Sequence, residues 1–355
     1  MTPILIDKVS AITKNLKLEH QQIIMDDPNI ALPCDMGTVL VAKVLDDKRV
    51  YNELELPSGR LSKLKKGDII TVALGQRRAL KGFVGDLPKS LNPNDVIHLL
   101  NMGGVAGECT SANTTEVGNP LRIRILGGIV DKDGTALNIN QKTIYSPKKT
   151  MSSNVPLIIV TGTSMDSGKT TVAIEITKTL TRMGMKLAGT KLTGVGALRD
   201  LYKMQDYGVY NAVSFVDAGI TSTANIDDET MADVTRGALD YLSADNPDAI
   251  IIEFGDGLMG KYGVNAILQM PEIQKNVRLH IGCASDPVGA IGLVEGCKNI
   301  GLPIDVISGP VTDNDVGKAI IKDELDVIVY NAFNPSTEWI DLVISRWLHA
   351  YQLSA

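Results

Sequence analysis

The chain has 355 residues, of which 44% are hydrophobic and only 4% are aromatic, and its formal net charge is −6. This acidic balance excludes a general nucleic-acid binder, because no basic excess is available to neutralise phosphates. The length allows two domains with real cores. We expect neither a signal peptide nor a membrane span, because the sequence shows no signal-peptide pattern and no apolar run long enough to cross a bilayer. We therefore expect a cytoplasmic protein that acts on small molecules, without nucleic-acid or membrane partners.

The first half of the chain, 1–150, is expected to form a β-rich, barrel-like domain. Short apolar stretches alternate with Gly, Pro and Asp turns, which is typical of a small antiparallel β-domain. The segment 102–120 is rich in Gly and Thr, and it is expected to be either a surface loop or a lid that binds substrate. The predicted strands are 38–44, 49–56, 68–74 and 121–130.

The second half, 151–355, predicts a doubly wound, mostly parallel α/β domain. Continuous apolar runs alternate with amphipathic stretches, as expected when parallel strands are covered on both faces. In the first helix, Val172, Ile176, Leu180 and Met183 fall on one face, and Gly184 marks its end. A closing helix is predicted over 335–353. The predicted strands are 157–162, 186–191, 212–217, 249–254, 278–283, 304–309 and 327–333.

A phosphate-binding loop is indicated by the segment 158-IIVTGTSMDSGKTTVAIEI-176. An apolar strand leads into Gly162, and Lys169 opens an amphipathic helix, so backbone N–H groups and a helix N-terminus can face phosphates. Five residues separate Gly162 from Gly168, one more than in the G-x-x-x-x-G-K-[ST] pattern. The residues expected to bind the nucleotide are Gly162, Thr163, Ser164, Asp166, Ser167, Gly168, Lys169, Thr170 and Thr171.

This longer loop resembles that of dethiobiotin synthetase and its relatives, ATP-dependent enzymes of the MinD-like branch of P-loop proteins. The resemblance continues in 184-GMKLAGTKLTGVG-196 and in 250-IIIEFGDGLMG-260. It implies that Lys191 contacts phosphate and substrate and that Glu253 helps to hold Mg²⁺. It also implies a homodimer. More loosely, the two-domain arrangement resembles P-loop proteins that include amino-acid N-acyltransferases.

The charged residues that follow strands are the other candidates for the site. Glu253 ends a strongly apolar strand, where a buried carboxylate needs a partner, so a role on Mg²⁺ together with Thr170 is expected. Asp217 is either a second Mg²⁺ ligand or a turn cap. Lys191 is either a solvated cation or a ligand of phosphate and substrate. Asp166 acts on the attacking group or caps the loop.

The expected function is that of an ATP- and Mg²⁺-dependent ligase or synthetase that phosphorylates a small carboxylate- or carbamate-bearing metabolite. Lys169, Lys191 and Glu253 are the expected catalytic residues. Two alternatives remain open. In one, the loop binds the phosphates of an acyl-coenzyme A and the chain is an N-acyltransferase. In the other, the chain is a nucleotide-dependent switch ATPase.

Overall fold

The structure is a computed structural model that describes residues 1–333 and Ser345. These residues form two compact units. The N-terminal unit comprises Met1–Ser146, Gly194–Arg199 and Phe215–Ala224, and the C-terminal unit comprises Pro147–Thr193, Asp200–Ser214 and the described residues from Asn225 onward. We predicted a single boundary at residue 150. The N-terminal unit instead has its first boundary at Ser146 and also contains two short later segments, Gly194–Arg199 and Phe215–Ala224. The predicted closing helix 335–353 lies outside the described residues.

The N-terminal unit is built around a sheet whose strands close into a ring. Strand β3 pairs with β6 and β11, β6 pairs with β10, and β9 pairs with both β10 and β11. The predicted β-rich, barrel-like domain is therefore confirmed. The strands are β1 (Thr2–Leu5), β2 (Gln21–Met25), β3 (Val39–Val44), β4 (Glu53–Glu55), β5 (Leu61–Lys63), β6 (Ile69–Leu74), β7 (Arg77–Arg78), β8 (Phe83–Asp86), β9 (Val96–Leu99), β10 (Val105–Ala112) and β11 (Leu121–Ile129), and helix α1 is Thr114–Val117.

The core of this unit follows the two-residue period of its strands. Leu40, Ala42 and Val44 of β3 pack in one apolar cluster with Ile70 and Val72 of β6. Alternate residues of a strand point to the same face, so this spacing gives each strand one face for the interior. Burial of each Leu, Ile or Val side chain in this cluster contributes about 2 kcal/mol to the free energy of unfolding.

The prediction of a loop or lid over 102–120 is wrong. Residues Val105–Ala112 form β10, which pairs with β6, β8 and β9, and Thr114–Val117 form α1. Gly107 lies where a Cβ atom would meet the backbone oxygens of Asp86 and Gly75. Some of the small residues that indicated a loop are therefore present because neighbouring strands pack closely there and leave no room for a larger side chain.

The C-terminal unit contains a fully parallel sheet. Its strand order is β14-β13-β15-β12-β16-β17-β18, so the order reverses at β12 and ligands are expected at that point. The predicted doubly wound α/β fold is confirmed. The strands are β12 (Leu157–Gly162), β13 (Leu187–Lys191), β14 (Asn211–Ser214), β15 (Ala249–Glu253), β16 (Val277–Cys283), β17 (Val306–Ser308) and β18 (Ile328–Val329).

The helices of this unit follow its strands in alternation. The first of them, α2, buries Val172, Ile176 and Leu180 in the same cluster as Ile158 and Val160 of β12. Its predicted end is confirmed, because Gly184 has a φ of +86°. Met183, however, is 43% exposed and does not belong to the buried face. The helices are α2 (Lys169–Arg182), α3 (Arg199–Asp206), α4 (Asp228–Ser243), α5 (Val264–Leu268), α6 (Pro271–Asn276), α7 (Pro287–Asn299) and α8 (Asp315–Glu324).

His280 of β16 is a core residue with a predicted effect on acid stability. Its Nε2 lies 2.8 Å from Thr161 Oγ1, and burial lowers its pKa to about 4. The unfolded chain binds a proton below about pH 6.5, whereas the folded chain does not, so folded stability is lost as the pH falls from 6.5 towards 4. The loss attributable to His280 should reach roughly 3 kcal/mol. Denaturant unfolding at several pH values should show a shallower loss in His280→Gln, and equal slopes would contradict this assignment.

None of the helices that the structure describes, within residues 1–333, has the length and apolarity needed to cross a membrane.

Candidate functional site

The candidate site begins where the central strand β12 ends. Gly162 is the last residue of β12, Lys169 is the first of α2, and the loop 163–168 joins them. A Cβ atom on Gly162 would clash with Ser167 Oγ and lie 3.0 Å from the Lys169 side chain. The residue at 162 is therefore Gly because the loop folds back tightly over the end of the strand.

Lys169 lies over this loop. Its Nζ donates a hydrogen bond to the Ser164 carbonyl oxygen at 2.6 Å, and Ser167 Oγ donates to the same oxygen at 2.9 Å. Burial lowers the pKa of Lys169, and the nearby Glu253 carboxylate partly opposes that shift. The ammonium is thus held at the loop with few charge partners, where an anionic phosphate would interact with it strongly.

Thr170 and Glu253 form the polar pair beside the loop. Thr170 Oγ1 donates to Glu253 Oε1 at 2.7 Å. Glu253 is only 2% exposed, and its Oε2 has no hydrogen-bond partner among the residues that the structure describes. Burial raises the pKa of Glu253, and the Asp200 carboxylate adds to that shift. An unsatisfied buried carboxylate oxygen is costly, which indicates that this position has another ligand.

These oxygens fit Mg²⁺. A carboxylate oxygen and a Thr hydroxyl are hard donors of the kind that this ion prefers. Within residues 1–333 and 345, no group of three or more His, Cys, Asp or Glu side chains is arranged to hold a metal. Mg²⁺ is usually held by one or two protein ligands together with phosphates and water.

Lys191 lies next to this pair and is already charge-paired. It ends β13 directly beside Glu253 of β15, and its Nζ forms an ion pair with Asp200. Both side chains are largely buried, at 12% and 11% exposure. Of the two alternatives for Lys191, the solvated cation is therefore wrong, and the role as a ligand of phosphate and substrate stays a prediction. Sequence reasoning missed Asp200, although its position in the first turn of α3 after a parallel strand was a usable signal.

Asp217, the other expected Mg²⁺ ligand, has its charge paired within the N-terminal unit. It belongs to the N-terminal unit, is 1% exposed, and its Oδ1 lies 3.2 Å from Lys14 Nζ and 3.1 Å from Asn15 Nδ2. Strand β14 ends at Ser214, and the 3-10 helix Phe215–Ala218 that follows it is part of the N-terminal unit. Mg²⁺ binding by Asp217 stays a prediction.

The remaining loop residues have less specific surroundings. Asp166 is exposed and has a φ of +61°, a left-handed conformation that Asp tolerates better than most residues. Thr163 donates its backbone N–H to the Cys283 carbonyl oxygen at 3.0 Å. Ser164 Oγ donates to the Met165 carbonyl oxygen at 2.9 Å. Thr171 is half-buried in the first turn of α2.

Gly257, in the turn after β15, packs directly against the backbone of the loop at Thr163 and Ser164. A Cβ atom at this position would clash with the Thr163 carbonyl oxygen and lie 2.9 Å from Ser164 N. Gly257→Ala should displace the loop, lower the melting temperature and weaken phosphate binding by about tenfold or more. Thermal unfolding and nucleotide titration would measure this. Gly292→Ala on α7, where no atom lies within 4 Å of the added methyl group, is the matched control and should keep both properties.

The C-terminal unit is a P-loop domain. Its central parallel strand runs into a Gly-rich loop, and the next helix opens with Lys169, Thr170 and Thr171. This combination of fold and loop defines the class.

Comparisons with known proteins give distant structural matches. No family model and no curated protein matches the chain. The chain is similar to the signal recognition particle receptor FtsY from Elizabethkingia anophelis in complex with GDP, with 16% identity over 54% of this chain and 62% of that one and a TM-score of 0.36. It is also similar to the signal recognition particle 54 kDa protein from Aeropyrum pernix in complex with GDP, with 20% identity over 51% and 42% of the two chains and a TM-score of 0.36.

The matched region spans less than two thirds of the length of either of those two chains. The resemblance to dethiobiotin synthetase stays a prediction.

Proposed function

We propose that this chain binds a nucleoside triphosphate together with Mg²⁺ at the loop 162–171 and hydrolyses it. The observation that carries the proposal is the hydrogen bond between Thr170 Oγ1 and Glu253 Oε1, at 2.7 Å, beside a second carboxylate oxygen with no hydrogen-bond partner among the described residues. A buried carboxylate of this kind beside a phosphate-binding loop is well suited to a metal ion that bridges protein and phosphates.

Each residue of the site has a defined task in this proposal. Backbone N–H groups of the loop and the N-terminus of α2 bind the phosphate oxygens. The Lys169 ammonium, now on the Ser164 carbonyl oxygen, moves to the terminal phosphates and stabilises the negative charge there. Thr170 and Glu253 hold Mg²⁺, which supplies further positive charge to the phosphates. ATP is the proposed nucleotide, and GTP is the alternative.

Two observations favour a nucleotide-dependent switch over a ligase. First, Lys191 is bound to Asp200, so it is not available to hold a substrate carboxylate unless that ion pair opens. Second, three exposed apolar side chains follow β15, β16 and β17 at the edge of the sheet where the loop lies: Met259, Val288 and Val316, at 94%, 79% and 71% exposure. Such side chains are typical of protein interfaces, and we propose that a second copy of the chain or another protein binds there.

A ligase or phosphoryl transferase is the second candidate. It is favoured by the juxtaposition of Lys191 and Glu253 at the ends of adjacent strands, which places a second cation near the Mg²⁺ position. In that case Asp200 would hold Lys191 until a carboxylate- or carbamate-bearing substrate replaces it. Transfer of a phosphoryl group to such a substrate would then depend on both residues.

A phosphate-release assay with purified protein tests the proposal. We expect Mg²⁺-dependent release of phosphate from ATP or GTP without added metabolite, and a change in sedimentation on nucleotide binding if the chain is a switch. Release only in the presence of a carboxylate metabolite would favour the ligase. Binding of acetyl-coenzyme A with no binding of either nucleotide would overturn the proposal in favour of acyl transfer.

A further inference from the structure

The N-terminal unit contains a cleft that is separate from the P-loop residues. Its volume is about 720 Å³, and its walls come from residues 7–9 after β1, the 3-10 helix Ala11–Leu16 with the residues that follow it, and the turn between β4 and β5. This size lies within the range of small-molecule sites in proteins. Apolar side chains of Val9, Leu18 and Leu56 line it together with the hydroxyl groups of Thr13 and Ser62.

The charged lining of this cleft is mainly positive, although the chain as a whole is acidic. Four cationic side chains, those of Lys8, Lys14, Lys17 and Arg60, line the cleft with a single carboxylate, that of Asp7. Lining by one sign of charge concentrates ligands of the opposite sign in a concave site.

The four cations fall into two classes. Lys8 is ion-paired with Asp68, and Lys14 with the buried Asp217 at 3.2 Å, so these two ammonium groups are held in place at the wall. Lys17 and Arg60 are exposed, and neither side chain has an ion pair among the residues that the structure describes. These last two groups come from different elements, the 3-10 helix end and the β4–β5 turn.

Lys17 has a backbone conformation that its side chain does not favour. It caps the 3-10 helix with a φ of 52°, in the left-handed region. Gly adopts this conformation without steric cost, whereas Lys does not. Position 17 thus carries a cationic side chain at a site where local backbone energetics favour Gly.

We propose that this cleft binds a small organic dianion, with one anionic group on Lys17 and the other on Arg60. The guanidinium of Arg60 suits a carboxylate or phosphate oxygen pair. The apolar wall suits a hydrocarbon body between the two charges, so an organic ligand is favoured over a bare inorganic ion. The ligand is therefore a dicarboxylate whose two carboxylates lie at opposite ends of a hydrocarbon chain. This site does not depend on the nucleotide chemistry proposed for the other unit.

Calorimetric titration of the full chain at low salt tests the proposal. The probes are succinate, glutarate and adipate, and the reference anions are glycerol phosphate and inorganic phosphate. We expect at least one of the three dicarboxylates to bind, and we expect the reference anions, whose charges lie on a single group, to bind this cleft more weakly. Lys17→Gly and Arg60→Gln should each weaken its binding about tenfold or more. Lys17→Gly should keep or raise the melting temperature, which separates loss of binding from loss of folding.

The controls are Lys63→Ala and Lys169→Ala. Lys63 lies on β5 next to Ser62 but on the opposite face of the strand. Lys63→Ala therefore lowers the net charge by the same amount as Lys17→Gly or Arg60→Gln but leaves the lining of the cleft unchanged. Lys169→Ala removes the loop cation of the other unit. Both variants should bind the dianion with wild-type affinity. The proposal is overturned if no dicarboxylate binds, if inorganic phosphate binds the Lys169→Ala variant as tightly as the dicarboxylate does, or if Lys17→Gly binds as well as the wild type.

Discussion

Lys169→Ala is expected to lose nucleotide binding while keeping its fold. The Lys169 ammonium is the buried cation at the loop, and its only described hydrogen-bond acceptors are Ser164 O and Ser167 Oγ. Loss of a charge-assisted hydrogen bond to a phosphate should cost roughly 2–3 kcal/mol, which is roughly 30- to 150-fold in affinity. A fluorescent ATP analogue titrated in the presence of Mg²⁺ would measure this change.

The matched control for this variant is Lys178→Ala. Lys178 is on the same helix, but its Nζ is ion-paired with Glu175 at 3.0 Å. Its removal should leave nucleotide affinity unchanged. Equal affinities of Lys169→Ala and the wild type would mean that the loop does not bind phosphate, and both candidate functions would then fail.

Glu253→Gln should impair Mg²⁺ use and at the same time improve folding stability. The Gln oxygen can still accept from Thr170, but the charge that attracts the metal is gone. We expect the Mg²⁺ concentration needed for half-maximal hydrolysis to rise roughly 10- to 100-fold. The measurement is phosphate release as a function of Mg²⁺ at saturating nucleotide.

The stability change follows from the direction of the pKa shift. The pKa of Glu253 is raised in the folded chain, so the free energy of unfolding falls as the pH rises through that pKa and the buried group ionises. The Gln variant lacks this fall, and at pH 7 it should be at least as stable as the wild type. Glu175→Gln on α2 is the control for both properties. A Glu253→Gln variant with unchanged Mg²⁺ dependence would remove Glu253 from the metal site.

The loop and its immediate partners could be predicted because they depend on local sequence. The run from Leu157 to Gly162 is apolar throughout, and Lys169 opens a helix with apolar residues on one face. The role of Glu253 could be predicted in the same way, because a carboxylate at the end of a buried strand needs a partner. The parallel sheet then brings both strand ends to one edge without any further information.

The contacts of Asp217 and Asp200 were not predicted from the sequence. Both residues follow parallel strands, so the rule that ligand-binding residues lie at the carboxyl ends of such strands applies to each of them. The difference lies in long-range packing: Asp217 is carried into the N-terminal unit, where Lys14, about 200 residues earlier in the chain, neutralises it. Asp200 returns to the C-terminal unit and pairs with Lys191. The pairing of Lys14 with Asp217 has no local signature because it is decided by tertiary structure, whereas the position of Asp200 in the first turn of a helix after a parallel strand was a local signal.

A crystal structure with Mg²⁺ and a non-hydrolysable ATP or GTP analogue tests the central claim most directly. We predict that the phosphates lie on the loop 163–168 in contact with Lys169, and that the metal contacts Thr170 and Glu253 directly or through one water molecule. A nucleotide bound elsewhere, or a metal held by residues other than these two, would contradict the account.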